Sequence, residues 1–244
     1  MTRQRKWVIG YFTAFIIMII MNYSVGSDVG NVADENPTII QPAGFAFAIW
    51  GLIYVLIFIW MIKLFFSKNE QPSITERLKY WPIINFILNG IWIVVFTQQW
   101  MIISTIVILL LLFTLIKIHI VISAELYHWY DRLPFSIYFG WVTIASIVNI
   151  FTAFSNYNID SFLGTDELIW TIIAIIAAAL IGLFIAWFLS DWLYPLVLLW
   201  PFFGIFMESG DVSTGLNVSL ATASLILVIT ATVIIIRKIK AVSV

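Results

Sequence analysis

Eight apolar stretches, each about as long as the hydrocarbon core of a bilayer is thick, occupy most of this 244-residue sequence. A core of about 30 Å needs a helix of roughly 20 apolar residues. Only 10% of the residues are charged, against roughly 25% in an ordinary soluble domain. The sequence therefore predicts an all-α integral membrane protein with eight transmembrane helices, at 7–26, 43–66, 80–100, 101–123, 134–155, 168–189, 192–207 and 216–236.

Two parts of this pattern are irregular. The third and fourth spans abut at residues 97–100, where Gln98 and Gln99 are expected to turn at a membrane surface. The seventh span is short and contains Pro195 and Pro201, each of which removes a backbone donor from a helix. A kinked span and a re-entrant segment both fit this pattern.

The basic residues indicate how the chain is oriented, because the cytoplasmic ends of membrane spans collect Lys and Arg. With the amino terminus inside, all 12 basic residues fall on the inner side, and the outer loops are acidic. We therefore expect a multi-pass protein of the cell membrane with both termini in the cytoplasm. A cleaved secretory signal is the alternative, but the run from Trp7 to Gly26 exceeds the roughly 7–15 apolar residues of signals. The basic residues are Arg3, Arg5, Lys6, Lys63, Lys68, Arg77, Lys79, Lys117, Arg132, Arg237, Lys238 and Lys240.

Composition and motifs exclude several classes of function. The chain has no cysteine and a net charge of −1, which argues against disulfides, Cys-ligated metals and a nucleic-acid partner. It shows no Ser–His–acid order or phosphate loop, so we expect no catalytic residue and no enzyme. Lys117 and His119 lie where a long side chain reaches the headgroups, and His128 in the next loop makes no metal site with His119. Glu208 and Asp211 predict a solvated outer turn, with the entrance for a cation or substrate as the alternative.

Aromatic and amide side chains recur along single helical faces of three spans. Such a stripe is expected to face protein, and two interpretations remain open: hydrogen bonds that hold helices together, or the wall of a ligand pocket. The stripes are Phe47, Trp50 and Tyr54 in the second span, Asn85, Asn89, Trp92 and Phe96 in the third, and Tyr138, Trp141, Ala145 and Asn149 in the fifth.

The same residues form three motifs with the order and spacing of a known family. They are Pro42 with Trp50 and Tyr54, then Leu88-Asn89-Gly90-Ile91-Trp92 with Phe96, and then Tyr138-Phe139-Gly140-Trp141-Val142 with Ala145 and Asn149. In these motifs the chain resembles the tryptophan-rich sensory protein family, also called the translocator protein or TspO/MBR family. The resemblance covers roughly residues 1–155 and describes a long variant with additional C-terminal helices.

The resemblance implies a five-helix bundle at 1–155 that binds a porphyrin, heme or other tetrapyrrole, or a sterol-like molecule, below the loop 27–42. It implies no required cofactor; the partners are this hydrophobic ligand and membrane lipids. The tryptophans would contact the ligand's rings and the asparagines would hydrogen-bond its polar edge. The implied ligand-binding residues are Pro42, Phe47, Trp50, Tyr54, Asn85, Asn89, Trp92, Phe96, Tyr138, Trp141, Ala145 and Asn149.

Residues 156–244 are expected to form three additional transmembrane helices that serve mainly for packing. Ala174, Ala178 and Gly182 make a ridge of small residues that lets another helix approach closely, within the chain or in a homodimer. The competing hypothesis is a transporter of a small solute or lipid, in which the proline-containing seventh span forms a gate.

Overall fold

The structure, a computed structural model, describes residues 3–26, 28–67, 74–124, 129–159 and 161–242. Lys68 and His128, which entered the predictions of orientation and metal binding, lie outside the described residues. The helices and two short strands are α1 Arg3–Val25, α2 Asp28–Glu35, a 3₁₀ helix Gly44–Ala48, α3 Ile49–Phe66, α4 Ile74–Leu78, α5 Trp81–Thr97, α6 Met101–Ser123, α7 Trp129–Asn156, β1 Ser161–Phe162, β2 Thr165–Asp166, α8 Glu167–Phe188, α9 Leu193–Val197, α10 Leu199–Ser209 and α11 Thr214–Val242.

The prediction of an all-α membrane protein is confirmed. Within the described residues, six helical segments are long and apolar enough to cross a membrane, and two shorter apolar segments, Trp81–Thr97 and Leu193–Ser209, account for the other two predicted spans. Many large apolar side chains on these helices are exposed, as expected of surfaces that face lipid. Among the described residues, β1 and β2 form an antiparallel ribbon that is two residues long on each side.

Both irregular parts of the sequence pattern coincide with breaks in helices. The chain leaves α5 after Thr97 and enters α6 at Met101, and Gln99 between them has a positive φ of 56°. The seventh predicted span is divided at Leu198 into α9 and α10. Pro201 lies in the first turn of α10, where a missing backbone donor costs little.

The chain forms two compact units, which we describe separately. The first comprises Met1–Glu35 with Trp50–Tyr138, and the second comprises Asn36–Ile49 with Phe139–Val244. The division at residue 155 between a family bundle and additional helices remains a prediction.

In the first unit, α5 packs between α1 and α6. Gly90 brings α5 close to α1, because a Cβ atom there would lie 2.7 Å from Met21 Sδ and 3.5 Å from the Cα of Met18. A larger residue at this position must push the two helices apart.

We expect Gly90→Val to lower the free energy of unfolding by about 1–3 kcal/mol, the usual cost of overpacking a core. The control is Gly51→Val on α3, because a Cβ atom at Gly51 has no neighbour within 4 Å. Both variants would be unfolded by SDS titration in bicelles. Equal stability of the two variants would contradict the close approach of α1 and α5.

In the second unit, α8 packs against α11. Asp166 caps α8, with its side chain accepting a hydrogen bond of 3.0 Å from the backbone N–H of Ile169. The small-residue ridge serves packing within the chain: Ala178 is buried, and a Cβ atom on Gly182 would lie 2.6 Å from Leu227 Cδ2 of α11. At the far end of α8, the guanidinium of Arg237 lies 4.3 Å from the ring centroid of Trp187.

Candidate functional site

Aromatic residues of three helices form a cluster in the first unit. The ring of Trp50 lies at the centre, with centroid distances of 5.7 Å to Tyr54, 5.9 Å to Trp92 and 5.8 Å to Tyr138. Phe96 extends the cluster, 5.4 Å from Trp92 on the next turn of α5. We call Trp50, Tyr54, Trp92, Phe96 and Tyr138 the aromatic cluster.

A buried amide connects this cluster by hydrogen bonds. Asn89, with no exposed surface, donates from Nδ2 to the hydroxyl of Tyr138 at 2.8 Å. Its Oδ1 accepts from Asn22 Nδ2 at 3.0 Å and from the Tyr54 hydroxyl at 3.3 Å. The Tyr54 hydroxyl also lies 2.8 Å from Asn22 Oδ1. Side chains of α1, α3, α5 and α7 therefore meet in one polar network inside an apolar bundle.

Asn22 is a member of this network that our sequence analysis missed. Its signal in the sequence is the single amide in the second half of the first span. Polar side chains are rare within membrane spans and face other helices when they occur. A search for amides in every span, without requiring aromatic neighbours, would have found it.

Asn85 does not join the aromatic cluster. It lies one turn before Asn89 on α5 and is equally buried, but its Nδ2 donates to Thr114 Oγ1 of α6 at 2.8 Å. Its Oδ1 accepts no hydrogen bond from the residues that the structure describes. Two amides on one stripe therefore bond to different partners.

The remaining predicted residues belong to the second unit. Phe47 and Trp141 make an edge-to-face contact with ring centroids 5.7 Å apart. Pro42 and Asn149 are buried, and Ala145 is half-buried. The structure thus brings Phe47 and Trp141 together within the second unit.

The predicted stripe from Phe47 to Tyr54 starts in a 3₁₀ helix and continues in an α-helix. Gly44–Ala48 form a 3₁₀ helix, and α3 begins only at Ile49. A 3₁₀ helix has three residues per turn, so the chain before α3 is wound more tightly than the 3.6-residue repeat on which the prediction was counted.

The segment 36–46 includes the end of the loop 27–42 that the resemblance makes a pocket cover, and it is held by other elements of the second unit. The backbone N–H of Ala43 donates to the carbonyl of Gly204 on α10 at 3.0 Å. The indole N–H of Trp200 donates to the carbonyl of Ala46 at 2.9 Å, and Phe45 lies edge-on to the same indole at 5.5 Å. This end of the segment is therefore attached to α10 by two hydrogen bonds and a ring contact.

The opposite end of the segment is held by α7 and α8. The N–H of Ile39 donates to Glu167 Oε1 at 2.6 Å. Asn156 Nδ2 donates to Asn36 Oδ1 at 3.0 Å, and the Ser155 hydroxyl donates to the carbonyl of Pro37 at 3.3 Å. Hydrogen bonds therefore hold the segment 36–46 at both of its ends.

Fold and site define a class of protein: a multi-pass, all-α membrane protein whose first unit carries an aromatic and amide cluster. A family model described as TSPO-like protein matches residues 7–236. The chain therefore belongs to the TSPO-like protein family, which confirms the resemblance of its motifs, and the match continues through the three C-terminal helices. No curated protein and no solved structure gave a match.

Proposed function

We propose that this membrane protein binds a flat, hydrophobic ligand such as a porphyrin and serves as its receptor or binding protein, without a catalytic step. The observation that carries the proposal is the arrangement of Trp50, Trp92 and Tyr138 around the amide of Asn89. Indole and phenol rings offer large apolar faces with a polar edge, which suits a conjugated macrocycle with polar substituents. Membership of the TSPO-like family agrees with this assignment.

A second candidate function is transport of a small solute or lipid through the C-terminal helices. The break between α9 and α10 favours it, because discontinuous helices line the substrate paths of many transporters. Binding of a porphyrin to the aromatic cluster would favour the first function, and solute counterflow in vesicles without such binding would favour the second.

We also propose that both termini face the cytoplasm from the cell membrane. In the first unit, the start of α1 meets the end of α3, since Gln4 Nε2 donates to the carbonyl of Leu64 at 2.8 Å. Arg3, Arg5, Lys6 and Lys63 are therefore gathered at one end of this unit. Such a concentration of positive charge is typical of the cytoplasmic side.

The test is a titration of the detergent-purified full chain with protoporphyrin IX, in which bound porphyrin is measured by equilibrium dialysis. We expect saturable binding, weakened at least ten-fold in Trp50→Leu and in Trp92→Leu, because each change removes an aromatic face from the cluster. Dialysis is preferred to fluorescence, since replacing a tryptophan alters the emission whether or not the ligand binds.

Trp81→Leu is the matched control. Trp81 begins α5, on the same helix as Trp92, and its rings contact Tyr80 and Phe113 instead of the cluster. Circular dichroism and gel filtration would verify folding of all three variants. Equal porphyrin binding by wild type and both cluster variants would exclude the aromatic cluster as the site.

A further inference from the structure

A cavity of about 220 Å³ lies within the second unit, where the end of α7, the start of α8 and the segment 36–39 meet. Its walls include the aromatic residues Phe151, Phe154 and Trp170, the hydroxyl residues Thr38 and Ser155, and the carboxylate of Glu167. Because α7 and α8 are consecutive membrane helices, the connection between them lies at a membrane surface. A ligand therefore has access from water.

The walls of this cavity are fixed by hydrogen bonds. Glu167 accepts the N–H of Ile39 at 2.6 Å, and the Ser155 hydroxyl donates to the carbonyl of Pro37 at 3.3 Å. Thr38, between these two contacts, has a buried hydroxyl with no hydrogen-bond partner among the described residues. Hydrogen bonds thus hold the walls in place, and the Thr38 hydroxyl on one wall remains able to bond a ligand.

Among the described residues that line the cavity, none is a cation that could neutralise Glu167. The segments 36–49 and 139–236 contain no Lys, Arg or His. The next basic residue, Arg237, lies over the ring of Trp187. Trp187 is twenty residues beyond Glu167 on α8, which is about 30 Å at 1.5 Å per residue. The described residues that line the cavity with this carboxylate carry aromatic, hydroxyl, amide and aliphatic side chains, and none of them is basic.

We propose that this cavity is a binding site for a small organic ammonium ion. A carboxylate supplies the opposite charge, and aromatic rings attract ammonium groups through their π faces. Glu167 also lies in the first turn of α8, where the helix dipole favours its negative charge. The dipole explains why the carboxylate is tolerated there, but it does not explain three aromatic residues around the same space. This site shares no residue with the aromatic cluster, so it does not depend on the proposed porphyrin binding.

The probe is choline, compared with 3,3-dimethyl-1-butanol, in which a carbon atom replaces the charged nitrogen at nearly unchanged shape. We expect the full chain in nanodiscs to bind labelled choline saturably in equilibrium dialysis. The alcohol should compete at least ten-fold less well, because it lacks the charge that Glu167 and the rings recognise. Competition by the alcohol equal to that of unlabelled choline, or no saturable choline binding, would overturn the proposal.

Two matched substitutions test the assignment to Glu167. Glu167→Gln keeps the shape and a hydrogen-bond acceptor for Ile39 but removes the charge, and we expect at least ten-fold weaker choline binding. Glu208→Gln makes the same change on an exposed carboxylate of this unit outside the cavity, and we expect wild-type binding. Wild-type binding by Glu167→Gln, or equal weakening by both variants, would exclude this cavity as the site.

Discussion

Asn89→Leu should be one of the most destabilising single substitutions in the first unit. The change removes three hydrogen bonds, those with Asn22, Tyr54 and Tyr138, from a position with no exposed surface. Hydrogen bonds between membrane helices contribute on average about 0.6 and at most about 1.7 kcal/mol each. We therefore expect the free energy of unfolding, measured by SDS titration in bicelles, to fall by about 2–5 kcal/mol.

The control is the same substitution one turn away, Asn85→Leu. Asn85 is equally buried on the same helix, yet it makes one hydrogen bond and its Oδ1 has no partner among the described residues. Its partner Thr114 retains a bond of 2.7 Å to the carbonyl of Leu111. Removing an unpaired buried oxygen offsets the loss of one hydrogen bond. We therefore expect the free energy of unfolding to change by less than about 1 kcal/mol.

A double substitution separates the hydrogen bond from simple packing. In Asn89→Leu the Tyr138 hydroxyl loses its donor, whereas Asn89→Leu with Tyr138→Phe removes both partners, which costs less than leaving one unpaired. The double variant should therefore be more stable than the sum of the single effects predicts. Strict additivity, or equal effects of Asn89→Leu and Asn85→Leu, would show that the network does not stabilise the bundle.

The spans and their breaks could be predicted because they depend on local sequence. A run of apolar residues satisfies its backbone only as a helix in lipid, and Gln98 and Gln99 or the prolines of the seventh span mark where that run ends. The stripe on α5 could also be predicted, since Asn89, Trp92 and Phe96 follow the helical repeat.

The hydrogen-bond partners of the side chains on those stripes could not be predicted, because they depend on how the helices pack. Asn85 and Asn89 share one stripe, yet one bonds to α6 and the other to α1, α3 and α7. Periodicity gives the direction of a side chain and leaves open which neighbour it meets. The cavity beside Glu167 was missed for the same reason, since residues 37–38 are distant in sequence from residues 151–170.

Gly204→Val is expected to detach the segment 42–46 from α10. A Cβ atom at Gly204 would lie 2.8 Å from Pro42 Cβ and 3.0 Å from Ala46 Cβ, and neither of these atoms belongs to a flexible side chain that could move aside. The carbonyl of Gly204 also accepts the N–H of Ala43 at 3.0 Å. Because the added methyl groups and the segment cannot occupy the same space, the hydrogen bond should break together with the contact.

Hydrogen–deuterium exchange measures this effect where it occurs. Peptides that cover residues 43–48 should exchange at least ten-fold faster in Gly204→Val than in the wild type. If the valine variant does not fold, the smaller substitution Gly204→Ala takes its place, and its peptides should also exchange faster. Gly51→Val is the control for the substitution itself, because a Cβ atom at Gly51 has no neighbour within 4 Å. Trp200→Phe removes the indole hydrogen bond to the carbonyl of Ala46 but leaves an aromatic ring next to Phe45, and it should raise exchange less. Unchanged exchange in both Gly204 variants would mean that α10 does not hold this segment in solution.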